Sequence, residues 1–234
     1  MLELAAAGRI SGTGALVTRP GWPLFAPRLA DLGGAVDVGL HLNLTLGAPL
    51  GPMPRLSPDG RFPPLGRLMR LAFSGRLSGA EARAEIGAEI GRQIDAFAGA
   101  FGRLPDFVDG HQHVQVLPGV SGPLLAAIAS HWGETRPWLR DPFDTPGTLL
   151  ARGVAVPKAL VLAGLSVGWS RRLRRGGLDA NRGFSGVSAF DPARDFGHDL
   201  ARFLSVPGPL HLVMCHPGHV DDELAGLDPV VATR

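Results

Sequence analysis

The sequence contains a single cysteine, Cys215, and no long hydrophobic run. One cysteine cannot form an internal disulfide or a thiolate zinc site, and within its apolar segment we expect Cys215 to be a buried packing residue rather than a nucleophile. No uninterrupted apolar stretch approaches the ~20 residues that cross a bilayer. Residues 1–8 also lack the regions of a secretory signal. We therefore predict a cytoplasmic protein with no membrane partner.

An excess of charge of one sign is also lacking. The formal net charge is +2, from 23 Lys and Arg against 21 Asp and Glu, and the densest basic run, residues 171–175, is interpreted as a solvated helix end. Nucleic acid is therefore not an expected partner.

Turn-forming residues are abundant and evenly spread, with 33 glycines and 21 prolines. They separate short apolar segments without concentrating in one linker, and 234 residues can bury one core. We therefore predict a single domain over residues 1–234.

The hydrophobic patterns predict strands that alternate with helices. Strands are predicted at 14–18, 36–45, 107–108, 135–141 and 210–215, and helices at 1–7, 22–32, 78–101, 120–130, 157–172 and 195–203. Within these, a capping box is expected at Ser78–Glu81, inward-facing Phe196, Leu200 and Phe203 in the last helix, and a turn at 181–186. Residues 47–66 are predicted as a loop that either covers a site or is disordered. This alternation favours a parallel α/β barrel or sheet.

Three histidines, His41, His111 and His216, lie on or directly after predicted strands. His41 belongs to the polar set of an alternating strand, which would meet water in an open antiparallel sheet and face the centre in a barrel. His111 and His113 are one residue apart, so on extended chain they would point to the same side. His216 follows the apolar segment 210–215. We expect the histidines to share one site at the carboxyl ends of the strands.

Neutral imidazoles bind zinc and similar divalent cations. His41 and His111 with a carboxylate could hold such an ion, which polarises a carbonyl, and a further histidine could protonate a leaving amine. This chemistry is amide hydrolysis.

Neighbouring residues have two open interpretations each. Asp109 either orients a ligand histidine or forms a turn. His113 binds sugar hydroxyls or supports His111. Arg136 and Arg140 either hold an anionic or hydroxylated substrate or form structural ion pairs.

Five segments together resemble the successive motifs of the YdjC-like carbohydrate deacetylases, a family that includes chitooligosaccharide deacetylases. They are VGLHLNLT at 38–45, GAPL at 47–50, FVDGHQH at 107–113, GFSG at 183–186 and MCHP at 214–217. The resemblance implies a TIM-like (β/α) barrel and metal-dependent removal of N-acetyl groups from amino sugars or short oligosaccharides. It implies Mg²⁺ or Zn²⁺ as cofactor and a small acetylated sugar as partner. By motif match His41 and His111 would bind the metal and His216 would be the general acid.

The chain departs from this family at its start. Members open with a strand that ends in two aspartates, one a metal ligand and its neighbour the general base, yet no such pair precedes Gly8, and Asp221 and Asp222 lie too late to match. We expect either that the first strand is missing, with the C-terminus truncated as well, or that the carboxylates have been lost. The chain is then expected to be weakly active or inactive, and less stable than a form extended upstream.

Two other function classes follow from that departure and from the His-x-His pair. The absent aspartates favour a catalytically impaired pseudoenzyme or a sugar-binding protein. An amidohydrolase ranks last, because its His-x-His pair usually lies on the first strand and a lysine often bridges two metals. Here the pair is mid-chain and the only lysine, Lys158, opens a predicted helix. A homodimer is left open.

Overall fold

The computed structural model describes residues 1–191, 193–219 and 222–227. The chain divides into two compact units, Met1–Arg140 and Asp141–Arg234. Each unit is described by itself below.

The first unit is built on a four-stranded parallel sheet. Its strands lie side by side in chain order: β1 (Gly12–Ala15), β2 (Asp37–Leu42), β3 (Phe107–Gly110) and β4 (Trp138–Leu139). Its helices are α1 (Leu2–Ala6), α2 (Trp22–Ala30), α3 (Leu65–Phe73), α4 (Ala80–Phe101) and α5 (Ser121–His131). The predicted parallel α/β architecture is confirmed, and the carboxyl ends of all four strands meet at one edge.

Helix α4 supplies much of the core of this unit. The predicted apolar stripe is fully or nearly fully buried at Ile86, Ile90, Ile94, Phe97 and Phe101. The helix ends where predicted, at Gly102, whose φ of +85° is left-handed. Its start differs from the prediction: Gly79 is the N-cap and no side chain caps the helix, so the expected capping box is wrong.

The segment between β2 and α3 is an ordered loop, not a disordered one. Four of its hydrophobic side chains are buried, and its backbone donates to carboxylates of α4. Leu50 N–H donates to Glu89 Oε1 (3.0 Å) and Leu56 N–H to Glu85 Oε1 (2.8 Å). The buried hydrophobic side chains are Leu44, Met53, Leu56 and Phe62.

The second unit contains shorter strands. Its elements are α6 (Pro146–Arg152), α7 (Val156–Gly176), β5 (Phe184–Ser185), α8 (Phe196–Leu204), β6 (Leu212–Val213) and α9 (Asp222–Leu227), with β5 and β6 parallel. The six strands in the described ranges thus form two sheets, of four and two strands.

Several local predictions in the second unit are wrong. The segment 181–186 contains strand β5 and is not only a turn. Phe196 at the start of α8 is 55% exposed, whereas Phe203 is buried as predicted. Cys215 is exposed, because strand β6 ends at Val213 and the covered apolar strand expected over 210–215 does not form.

A search of the described part of the chain finds no helix with the length and apolar character needed to span a membrane.

Candidate metal and catalytic site

The site in the first unit is centred on a histidine and a carboxylate from adjacent strands. The register of β2 and β3 pairs His41 with Asp109, and His41 Nδ1 lies 2.6 Å from Asp109 Oδ1. Gly14 on β1 leaves room for this pair, because a Cβ there would lie 3.2 Å from His41 Cβ and 3.5 Å from Asp109 Oδ1. The pair therefore sits at the carboxyl edge of the sheet, where α/β proteins hold functional groups.

Asp109 is fixed by a buried arginine from the next strand. Arg140 Nη1 lies 2.5 Å from Asp109 Oδ2, and Arg140 Nη2 donates to the carbonyl of Gly110 at 2.5 Å. Burial raises the pKa of Asp109, but the positive charges of Arg140, His41 and His113 outweigh it and lower this pKa to about 2. Burial also lowers the pKa of Arg140, and Asp109 opposes that effect.

Asp109, which is ionised near neutral pH, determines the tautomer of His41. The carboxylate accepts a hydrogen bond from Nδ1–H, so Nε2 is the nitrogen of His41 that can bind a metal. Because one oxygen of Asp109 faces His41 and the other faces Arg140, the carboxylate orients the imidazole.

His111 lies beside His41. Their ring centroids are 5.4 Å apart, with the planes at 74°. Two imidazoles that each place a nitrogen ~2 Å from one ion have centroids no more than about 6 Å apart, so this separation allows a shared ion. The predicted proximity of His41 and His111 is confirmed, although no group of three or more His, Cys, Asp or Glu in the described ranges could hold a metal.

The extended geometry expected for His111 and His113 is wrong. Strand β3 ends at Gly110, and His111–Val116 forms a 3-10 segment in which Gln112 (φ 51°) and His113 (φ 59°) are left-handed. The chain turns back so tightly that a Cβ on Gly110 would overlap Gln115 Oε1. His113 nonetheless stays close enough to Asp109 to lower its pKa.

The two arginines predicted near the site have different surroundings. Arg140 is buried and forms an ion pair with Asp109. This arrangement matches the structural ion pair that was one of its two expected roles. Arg136 is exposed on the approach to β4. Sequence reasoning missed Gln115, which is buried and donates from Nε2 to the carbonyl of Arg140 (3.4 Å).

His216 belongs to the second unit. It follows strand β6 and is exposed. The centroids of the His216 and Phe190 rings are 5.9 Å apart, and the ring planes are inclined by 63°. The role of His216 as general acid stays a prediction.

The second unit also contains a serine–histidine pair that the sequence did not reveal. Ser185 Oγ and His211 Nε2 are 2.8 Å apart, and Gly208 N–H donates to His211 Nδ1 at 3.3 Å. Nε2 therefore carries the proton of the neutral ring and donates to Ser185, which itself donates to the carbonyl of Phe203 (3.3 Å). Burial, and then Arg152, lower the pKa of His211. A histidine that donates to the serine cannot activate it as a base, so this pair is structural.

The fold and this edge of the sheet define an α/β protein with a parallel sheet and a carboxylate-oriented histidine at the strand ends. The sequence model of the YdjC-like protein family matches residues 1–233, and the chain belongs to that family.

Known proteins that are similar to the chain include two deacetylases and one protein of known crystal structure. The chain is 34% identical over 134 residues to the chitooligosaccharide deacetylase of Enterobacter sp. (strain 638), covering 57% of this chain and 50% of that protein. It is 34% identical over 103 residues to the carbohydrate deacetylase of Mus musculus, covering 42% and 32% of the two chains. The chain thus spans about half the length of these relatives, or less.

The third is an Enterococcus faecalis V583 protein of known crystal structure, named for a suggested role in cellobiose-phosphate cleavage. It superposes with a TM-score of 0.64 at 20% identity, over 99% of this chain and 81% of that one. This similarity supports the fold.

Proposed function

We propose that the protein is a metal-dependent hydrolase that removes N-acetyl groups from amino sugars or short oligosaccharides. The observation that carries the proposal is the His41–Asp109–Arg140 arrangement beside His111 at the carboxyl edge of the sheet. The names of the two deacetylase relatives support the choice of substrate class.

The donor atoms suit a borderline divalent cation, with zinc favoured over magnesium because imidazole nitrogen is the ligand. His41 would bind through Nε2, and His111 would be the second ligand. When bound, such an ion supplies Lewis acidity toward the acetyl carbonyl. Two histidines are fewer than the three protein ligands of typical catalytic zinc sites, so metal affinity is expected to be modest.

Asp109 has an orienting role in this proposal. Its oxygens face His41 and Arg140, and a carboxylate whose pKa is about 2 is a weak base near neutral pH. It keeps the His41 ring in one tautomer and one orientation.

His216 is proposed as the proton donor. Cleavage of an amide requires a proton on the departing nitrogen, and histidine is the side chain that most often transfers such a proton. Its exposure lets it recover a proton from solvent after each turnover.

The second candidate function is sugar binding without hydrolysis. It is favoured by the two-histidine site in the described ranges, where no carboxylate completes a group of three metal ligands.

The test compares the wild-type chain with His41→Ala and His111→Ala, and with His131→Ala as a control outside the site. Bound zinc is measured after dialysis, and acetate release is measured with N-acetylated chito-oligosaccharides. We expect both site variants to lose zinc and to lose acetate release by about 100-fold, since second-shell changes alone cost 10–100-fold. The control should match wild type.

Each result separates the two functions. Zinc and sugar binding without acetate release would favour the sugar-binding protein. Unchanged zinc content in both site variants would contradict the proposed site.

A further inference from the structure

The only lysine of the chain contacts one turn in the second unit at two points. Lys158 lies in the first turn of α7, and its Nζ donates to the carbonyl of Ser188 (3.0 Å). The same ammonium lies over the ring of Phe190, 4.4 Å from its centroid. Every other basic residue among the 23 Lys and Arg is arginine. A compact ammonium can make both contacts at once, whereas a guanidinium presents a wider planar fork.

Phe190 has an unusual backbone conformation. Its φ is +55°, in the left-handed region that a bulky side chain rarely adopts. Its N–H donates to Ser188 Oγ at 3.0 Å. Conformations of this kind persist where surrounding contacts require them, and they concentrate at functional sites.

A second neighbour of the Phe190 ring is His216. The two ring centroids are 5.9 Å apart and the planes are inclined by 63°, which is an edge-to-face contact. The left-handed turn therefore brings one aromatic ring into contact with both the ammonium of Lys158 and the imidazole of His216.

We propose that Lys158 and Phe190 are positioning residues that hold the His216 imidazole in the orientation needed for proton transfer. The reaction they serve rests on the function proposed above, but the contact itself does not. A role in packing alone would affect stability and leave kcat unchanged.

The test records the imidazole signals of His216 by NMR, assigned with His216→Gln. Phe190→Leu removes the ring, and Phe190→Tyr restores it as the conservative variant. Lys158→Met removes the ammonium without disturbing the core, because Lys158 is exposed. The signals of His211, which has its own partners in Ser185 and Gly208, serve as the internal control.

We expect the His216 signals to shift in Phe190→Leu and, to a smaller extent, in Lys158→Met, and to return in Phe190→Tyr. His211 should be unchanged. For acetate release, kcat should fall by about 10–100-fold in Phe190→Leu while KM stays within about twofold, as expected for a misplaced catalytic group.

The outcomes distinguish a failure of this proposal from a failure of the proposed function. Unchanged His216 signals in Lys158→Met, which keeps the Phe190 ring and its ring current, would overturn it whatever the activity, and so would a failure of Phe190→Tyr to restore the signals shifted in Phe190→Leu. Shifted signals in a protein that releases no acetate would support the positioning contact and contradict the hydrolase.

Discussion

The pair of Asp109 and Arg140 shows how single residues fix the site. Both are buried, and their charges are compensated by each other and by His41. Removing one partner of a buried ion pair typically costs 3–5 kcal/mol, because the other charge stays buried. We therefore expect Asp109→Asn to lower the free energy of unfolding by about 3–5 kcal/mol, measured by urea denaturation.

The control for this change is an exposed ion pair. Glu81 and Arg55 form an ion pair, and their side chains are 73% and 59% exposed. Glu81→Gln should cost less than about 1 kcal/mol, because solvent screens such a pair. Equal losses of unfolding free energy in the two variants would show that the buried Asp109–Arg140 pair stabilises the protein no more than the exposed pair does.

The same carboxylate makes stability depend on acid. The pKa of Asp109 is about 2 in the folded protein and about 3.9 in an unfolded chain, so folding favours the ionised form. The resulting stability is present above pH ~4 and is lost as the pH falls toward 2. Unfolding measured between pH 5 and about 2 should show this loss in wild type and a flatter profile in Asp109→Asn. Parallel profiles would contradict the assigned pKa.

Residue roles were predictable only where the pattern was local. The alternation of residues 36–45 identified His41, and the motif at 107–113 identified Asp109 and His111. The left-handed backbone of Gln112 and His113 is uncommon for residues other than glycine, so only the fold around them could reveal it. The partner of Arg140 likewise depends on strand register, which residue identity does not contain.

At the scale of elements, strand β2 is shaped by one glycine. A Cβ on Gly39 would overlap the ring of Phe107, which stacks on Trp138 with centroids 4.4 Å apart. Gly39→Ala is therefore expected to destabilise the protein by about 1–3 kcal/mol through overpacking, measured by thermal or urea unfolding. Gly99→Ala in α4 is the matched control, because a Cβ there meets nothing within 4 Å. Alanine is more favourable than glycine in a helix by roughly 0.5–1 kcal/mol, so this variant should be stabilised. Two changes of the same sign would contradict the argument.

The loop after β2 depends on the carboxylates of α4. Glu85 accepts hydrogen bonds from the N–H groups of Arg55 and Leu56. In Glu85→Ala these amides lose their acceptor, and a net hydrogen bond contributes about 1 kcal/mol, so their hydrogen exchange should accelerate about fivefold each. The amide of Leu50, bound by Glu89, should keep its wild-type rate. If the amide of Leu50 exchanged faster by the same factor as those of Arg55 and Leu56, Glu85 and Glu89 would not hold separate parts of the loop.

Long periodic elements were predicted well and short ones poorly. Helix α4 has six turns of consistent periodicity, which fixes its buried face and its end at Gly102. Strands β4, β5 and β6 have two residues each, and pairing with a neighbour defines them more than their sequence does. The predicted capping box does not form, because Gly79 and not Ser78 is the N-cap residue of α4.

At the scale of the whole molecule, the order of elements predicted the architecture. Alternating strands and helices imply parallel pairing, and parallel pairing brings His41 and Asp109 to one edge although 68 residues separate them. The sequence did not predict the division into units of residues 1–140 and 141–234, because glycine and proline are spread evenly and mark no boundary.

Metal binding should register in the stability of the entire chain. A ligand that binds only the folded state at 100 times its Kd stabilises by about 2.7 kcal/mol, which for a chain of this size is roughly 5–10 °C in Tm. We expect this shift when zinc is added at that ratio, with Kd measured by titration calorimetry. Cys215→Ser is used throughout, since an exposed thiol can itself bind zinc. His41→Ala should abolish the shift because it removes a ligand, whereas His131→Ala should keep it. A shift that survives in His41→Ala would place the zinc elsewhere on the molecule and remove the basis for a metal site at the carboxyl edge of the sheet.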